Sequence, residues 1–253
     1  MMNINKYPIW LYWENKNKDA EELDLVRKCK ELFTRYDNVI ILNEVLIHQY
    51  LSGIVDCSRI SYIAQKADYY RAKLLYEYGG IWIDMDTILL EDITYLYQEL
   101  LSSDFEMRGN YDLDLIKNEM VFNPQLLVFK PKSIIAEKWY KYDEEYILGG
   151  SDIPWAALGG IALGKIVSEN NYKDRVMTIP HNIRFDLGYE NKSYMKYYSV
   201  ETDFINEKIN FIVDNGVKYI TLYGTFMYNL NIPENCLLHE MFMLKNKNNF
   251  KNK

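Results

Sequence analysis

Asp68 and Arg71 lie three residues apart, and Asp84 and Asp86 follow after the stretch Tyr78-Gly79-Gly80-Ile81-Trp82-Ile83. Residues three apart share a helix face, a double glycine ends a helix, and a short apolar strand then delivers two carboxylates at its tip. Paired carboxylates are hard oxygen ligands for a divalent cation, whose shell is completed by phosphate oxygens and water. The chemistry this spacing suits is the holding of a metal ion against a diphosphate. A bare Asp-x-Asp says little, and the chain has a second one, Asp112-Leu113-Asp114. That copy follows the polar run Arg108-Gly109-Asn110-Tyr111 with no apolar strand before it, so it is read as loop.

Positioning the first pair takes an α/β frame. Residues 7–13 read as a strand, 19–36 as a charged helix and 39–42 as a second strand, the opening of a parallel sheet. A short helix over 43–51 leads to Ser58, a candidate N-cap for the long helix that ends at Gly79 and Gly80. In that helix Ile60, Ile63, Ala67, Leu74 and Tyr78 recur at helical spacing as the buried stripe, with Lys66, Lys73 and Glu77 opposite. Arg71 falls within the apolar arc and Asp68 at its edge, so the pair faces the protein or its cleft rather than open solvent. Residues 81–84 suit a strand buried on both faces, and if the extended chain continues, Asp84 and Asp86 point to the same side. Further strands are expected at 105–108, 120–122, 126–129, 176–179 and 219–222, and helices at 133–147 and 155–169.

The chain has 253 residues, of which 49% are hydrophobic and 26% charged, which suits a single folded domain over 1–244. Residues 245–253 form a basic flexible tail whose lysines and Phe250 would touch an anionic membrane surface weakly, at ~1 kcal/mol per charge. A net charge of -7 argues against nonspecific nucleic-acid binding, which needs clustered cations. Cys29, Cys57 and Cys236 are odd in number and lack zinc-type pairing, which fits inert thiols in a reducing cytosol. The first residues lack the apolar core of a signal peptide, and the longest apolar stretch, 153–167, is broken by Pro154 and Lys165 and falls short of the ~20 residues of a membrane span. A cytoplasmic protein, at most at the inner face of the membrane, is the expectation.

Asp68-x-x-Arg71, Leu75-Tyr76 and Tyr78-Gly79-Gly80-Ile81-Trp82-Ile83-Asp84-x-Asp86 resemble the Asp-x-x-Arg…Gly-Gly-x-x-x-Asp-x-Asp core of a family of retaining glycosyltransferases. Its members include capsular polysaccharide synthesis proteins, fungal α-mannosyltransferases and the catalytic domains of clostridial glucosylating toxins. Residues 7–13 are similar to the family's opening strand, Ile179-Pro180 with Phe185 to a later strand and loop, and Leu237-Leu238-His239 to its C-terminal His segment. The resemblance implies a GT-A type, Rossmann-like fold with a mainly parallel sheet flanked by helices, a nucleotide-sugar donor, and Mn2+ or Mg2+. It implies that Asp86 ligates the metal, that Asp84 contacts metal-bound water and the donor, and that Asp68 accepts hydrogen bonds from sugar hydroxyls with Arg71 near the phosphates. It also implies that Trp13 caps the nucleotide base, while Trp10 reads as core. His239 is the candidate third metal ligand, with Glu240 as the competing choice, and His181 a candidate for the cleft lining. Residues 104–123 and the loop 149–155 are candidate acceptor borders.

The function expected on this resemblance is transfer of a hexose from UDP-galactose or UDP-glucose to a glycan or lipid-linked oligosaccharide acceptor in surface polysaccharide synthesis. Three other readings stay open on the residues alone. Asp68 and Arg71 would serve as well as a buried salt bridge joining helix to sheet. A catalytically silent nucleotide- or glycan-binding module would share the fold. Asp84-Met85-Asp86-Thr87 also approaches the aspartyl-phosphate phosphatase signature, though Thr87 comes one residue early and Ile88 takes its place.

Overall fold

The computed structural model describes residues 7–14, 23–60, 62–114, 119–150, 152–154, 157–187, 193–222 and 232–248. In chain order its strands and α-helices are β1 (Ile9–Tyr12), α1 (Asp24–Phe33), β2 (Val39–Leu42), α2 (Glu44–Tyr50), α3 (Ile63–Tyr78), β3 (Gly80–Ile83), β4 (Thr87–Leu89), α4 (Tyr95–Leu101), β5 (Met107–Asp114), β6 (Glu119–Phe129), α5 (Ile134–Leu148), α6 (Gly160–Glu169), β7 (Val176–Thr178), β8 (Arg184–Phe185), α7 (Thr202–Asp214), β9 (Tyr219–Thr221) and α8 (Leu237–Asn248). The chain groups into two compact units and passes between them repeatedly. The first holds residues 1–18, 38–84 and 94–179, and the second 19–37, 85–93 and 180–253.

The first unit is built on a six-stranded sheet ordered β2-β1-β3-β6-β5-β7. β1 runs parallel to β2 and β3, and β5 parallel to β7, whereas β6 is antiparallel to both of its neighbours. The mainly parallel, helix-flanked sheet expected from the sequence is therefore the architecture. Central strands buried on both faces read as continuous apolar runs, and both β1 and β3 are fully buried. The second unit carries its own sheet, β4-β9-β8, with α1, α7 and α8 in the same unit.

The passage from α3 to β3 takes the single residue Gly79 because Gly79 and Gly80, the first residue of the strand, adopt φ of 64° and 100°, a region that L side chains rarely occupy. A Cβ on Gly79 would lie 2.6 Å from Pro131 N, and one on Gly80 2.5 Å from Pro8 O. Trp10 is fully buried, as its strand position predicts, and its Nε1 donates to Gly79 O at 2.8 Å. The helix end is thus pinned to the sheet directly before the strand that carries Asp84.

Several expectations are corrected. Ser58 does not cap α3: its backbone N–H and hydroxyl bond to Asp56, and the helix starts later, after Tyr62, which makes no side-chain cap. A local Asp-x-Ser turn outcompetes the cap because it needs no further chain ordering. Asp112 and Asp114 lie in β5 and pair with Val121 and Glu119 of β6, not in a loop. Pairing along a long antiparallel ribbon overrides their low strand propensity. Helix α6 begins at Gly160 rather than near residue 155, after a turn at 157–159. The helix expected over 19–36 is confined to 24–33 among the described residues.

α6 packs on β6 so closely that glycine is required. A Cβ on Gly160 would come within 1.9 Å of Phe122 O, and one on Gly164 within 1.6 Å of Met120 O. Gly164→Ala should therefore lose about 3 kcal/mol or more of unfolding free energy in a urea titration, since neither backbone can yield without moving the strand. A variant as stable as the parent chain would show that this helix and strand do not approach as described.

Candidate active site

The C-terminal ends of parallel strands are where α/β sheets hold ligands, because the chain turns away there and leaves a crevice. β1 and β3 are parallel neighbours in register, Trp10 beside Trp82, so Trp13 and Asp84 leave the same edge of the sheet. Trp13 is half-buried and its backbone N–H donates to Leu42 O at 2.9 Å. Asp84 follows β3 directly, and its N–H donates to Gln125 O at 2.9 Å.

Arg71 joins the helix to that strand end. Its NH1 lies 3.0 Å from Asp68 Oδ1 and its NH2 donates to Asp84 Oδ1 at 2.9 Å. The guanidinium also stacks over the Trp82 ring, 4.9 Å from the centroid, while Trp82 Nε1 donates to the same Asp84 oxygen at 2.7 Å. Arg71 is 2% exposed, so its charge is screened by these groups and hardly at all by water. Both bonds to Asp84 fall on Oδ1, which fixes the carboxylate and leaves Oδ2 for a ligand; the side chain keeps 26% of its exposure.

Asp68 is buried and its carboxyl is pushed up to about 6, by burial first, with Arg71 opposing and Asp84 adding to the rise. A Cβ on Gly159 would lie 2.8 Å from Asp68 Oδ2, so glycine at the start of α6 is what allows the chain so near this carboxylate. On the other flank of α3, Glu44 accepts from the Tyr12 and Tyr70 hydroxyls at 2.9 and 3.1 Å, and Lys66 lies 3.4 Å from it and 3.6 Å from Glu14. Lys66, expected on the solvent face, is thus half-buried among partners at the mouth of β1.

Asp86 belongs to the second unit, where it is 8% exposed and its carbonyl accepts from Leu222 N–H at 2.9 Å. The strand does not continue from Asp84 to Asp86: β3 ends at Ile83, the chain bends at Met85 and Asp86, and β4 starts at Thr87. The expected two-residue alternation therefore does not relate the two carboxylates, because Thr87 leaves to pair with Thr221 of a different sheet. Burial pushes the Cys29 thiol up, with Asp86 adding to it, and Cys57 rises to about 11, so neither is a thiolate at neutral pH.

His239 sits in the first turn of α8, half-buried, its N–H donating to Cys236 Sγ at 3.4 Å. Among the described residues no three His, Cys, Asp or Glu side chains form a group that could hold a metal. His181 is exposed at the head of a single 3-10 turn. Of the acceptor borders, residues 115–118, 151 and 155–156 lie outside the described residues; Gly150 O accepts from Arg59 at 2.7 Å, and Ile153 and Pro154 carbonyls accept from Gln65. Sequence reasoning missed Trp82 as an Asp84 partner and Gly159 as the close neighbour of Asp68. The alternation of an indole with the acid two residues on, and the Gly159-Gly160 pair ahead of an apolar helix, were the available signals.

Residues 8–105 match the family described as glycosyltransferase sugar-binding region containing DXD motif. The match includes Trp13, Asp68, Arg71, Asp84 and Asp86, and it bears out the resemblance drawn from that block. No curated protein matches the chain by sequence. Among solved structures the chain is similar to the WbbM bifunctional glycosyltransferase in its apo form, with 13% identity, a TM-score of 0.54, and coverage of 94% of this chain and 49% of that one. This chain spans about half the length of that protein, and the likeness agrees with the GT-A type fold. Mouse xyloside xylosyltransferase 1 in its apo form gives 9% identity and a TM-score of 0.47 over 90% of this chain and 99% of that one. A glycosyltransferase involved in the glycosylation of the major capsid of PBCV-1 gives 14% and 0.45 over 88% and 97%.

The raised Asp68 carboxyl makes stability pH-dependent in the metal-free protein. Because the folded value lies above the ordinary 3.8, the stabilisation is complete below about pH 4 and is lost as pH rises through about 6. The loss is on the order of 2 to 3 kcal/mol. Melting curves in EDTA from pH 4 to 7 should fall for the parent chain and fall less for Asp68→Asn; parallel curves would contradict the burial of an ionisable Asp68.

Proposed function

We propose that this chain, a glycosyltransferase by the family to which its residues 8–105 belong, moves a hexose from a UDP-sugar to a glycan with retention of anomeric configuration. UDP-galactose and UDP-glucose are the favoured donors, and a glycan or lipid-linked oligosaccharide in capsular or other surface polysaccharide synthesis is the favoured acceptor. The observation that carries the reading is the buried Arg71 held between Asp68 and Asp84, with Asp84 leaving the end of a central strand and one oxygen unused by Arg71 and Trp82.

The residues fit a divalent cation of the Mg2+ or Mn2+ kind. Such ions are commonly held by one or two carboxylates, the rest of the shell coming from substrate phosphates and water, so a closed protein cage is not required. Asp84 Oδ2 and the Asp86 carboxylate are the hard donors that the resemblance implies, two residues apart in the chain. The ion would supply Lewis-acid stabilisation of the departing diphosphate. Arg71 holds Asp84 in one orientation and offers fixed positive charge near the phosphates. Asp68, buried against the start of α6, accepts from sugar hydroxyls. Trp13, on the edge from which Asp84 leaves, offers a face to the nucleotide base. His239 is the candidate third ligand, with Glu240 as the competing choice. The chain would work in the cytoplasm, at most at the inner face of the membrane with weak contact through its basic tail.

A panel of UDP-glucose, UDP-galactose, the UDP-N-acetylhexosamines and GDP-mannose, each with Mn2+ and with EDTA, tests the reading by thermal shift and donor hydrolysis. One donor should raise the melting temperature and turn over only with metal; indifference to every donor and to the metal would leave a silent binding module. Asp86→Asn should stay folded and lose about 100-fold or more in turnover, the scale of removing one preorganised electrostatic contributor. An Asp86→Asn enzyme with parental turnover would remove Asp86 from the metal site, and unchanged Mn2+ dependence in His239→Ala would remove His239.

A further inference from the structure

The buried stripe of α5 reads Ile135, Trp139, Asp143, Ile147, one residue every four, so an acid occupies a core position. Asp143 is 0% exposed, and among the described residues neither of its carboxyl oxygens has a hydrogen-bond partner. Arg71 on the adjoining α3 is in the complementary condition: its Nε has no hydrogen-bond partner, and its NH1, although 3.0 Å from Asp68, makes no well-aligned hydrogen bond. An ionised carboxylate buried with empty lone pairs is far costlier than a neutral acid, so the site favours the protonated form.

We propose that Asp143 is a positioning residue that, as a neutral carboxylic acid, leaves Arg71 committed to Asp68 and Asp84; the functional part of this rests on the transferase reading above. The charge count gives the reason. One guanidinium already serves two carboxylates, and a third negative charge would repel Asp68 and draw the guanidinium, whose Nε has no hydrogen-bond partner, toward α5, loosening the hold on Asp84. The groups acting on Asp143 are Asp68 and Arg71 from α3 and Glu144 from its own helix, and Glu144 is itself engaged by Lys73 and the Tyr69 hydroxyl. Burial first, then Asp68, hold the Asp143 carboxyl well above the usual carboxylate range, with Arg71 opposing.

Two readouts test this on the full chain, with Asp143→Asn and Asp143→Leu as variants. The second asks for no hydrogen bond and covers failure of the amide to fold. The infrared spectrum of the parent at pH 8, where Asp68 with its carboxyl at about 6 is ionised, should contain the carbonyl stretch of a buried protonated carboxylic acid, absent from both variants. Donor hydrolysis by the parent should decline at high pH with the slope of a single titration, about tenfold per pH unit, and that decline should vanish in whichever variant folds. A purely structural Asp143 would lower activity equally at every pH. A protonated-acid band that persists in the variants, or a high-pH decline unmoved by them, would overturn the proposal. If the parent hydrolyses no donor, the transferase reading fails by itself, while the infrared band still decides the charge state of Asp143.

Discussion

Arg71 is a permanent cation buried at the junction of a helix and a central strand, and a charge in that position is tolerated only if carboxylates and an aromatic face replace its water. Asp68, Asp84 and Trp82 do so. The arrangement is stringent because the two carboxylates come from different elements. α3 must end at a fixed height above the sheet for Arg71 to reach Asp84, and that height is set by the two positive-φ glycines and by the Trp10 bond to Gly79. The double glycine therefore serves the site by fixing where the helix stops.

Buried ion pairs contribute little net stability on average, and this one is unbalanced toward negative charge. Asp68, pushed up to about 6, shows the cost. A protein selected for stability alone would do better with apolar residues of similar volume. Retaining an over-acidic cluster at the ligand-binding edge of a parallel sheet is understandable if a cation and a diphosphate complete it, since a metal ion supplies the missing positive charge. On that reading Arg71 and Trp82 hold Asp84 by one oxygen so that the other can meet a ligand.

Close approach of backbone is the second organising theme. Gly159, Gly160 and Gly164 let α6 lie against Asp68 and against the carbonyls of β6 at distances no side chain allows. The same helix thereby becomes a wall for Asp68. Packing density and site geometry are here one property, because interiors at crystal-like density transmit a misplaced methyl group to everything they touch.

Local features of the sequence determined most of the elements of the first unit. Strand 39–42, the Ser133 start of α5, the buried Trp10 and the stop of α3 at Gly79 were all legible, since each follows from periodicity, capping or glycine geometry within a few residues. The pairing of Asp68 with Arg71 was legible for the same reason. What only the tertiary structure decided depends on partners distant in the chain. Asp112 and Asp114 became strand because β6 lay alongside, and the line from Asp84 to Asp86 was broken because Thr87 found Thr221 in another sheet. Asp143 could be seen at a core position by its spacing, but its isolation from hydrogen-bond partners depends on how α5 packs against α3. Propensity and period are short-range quantities, whereas strand pairing and the burial of charge are settled by whichever segments the fold brings together.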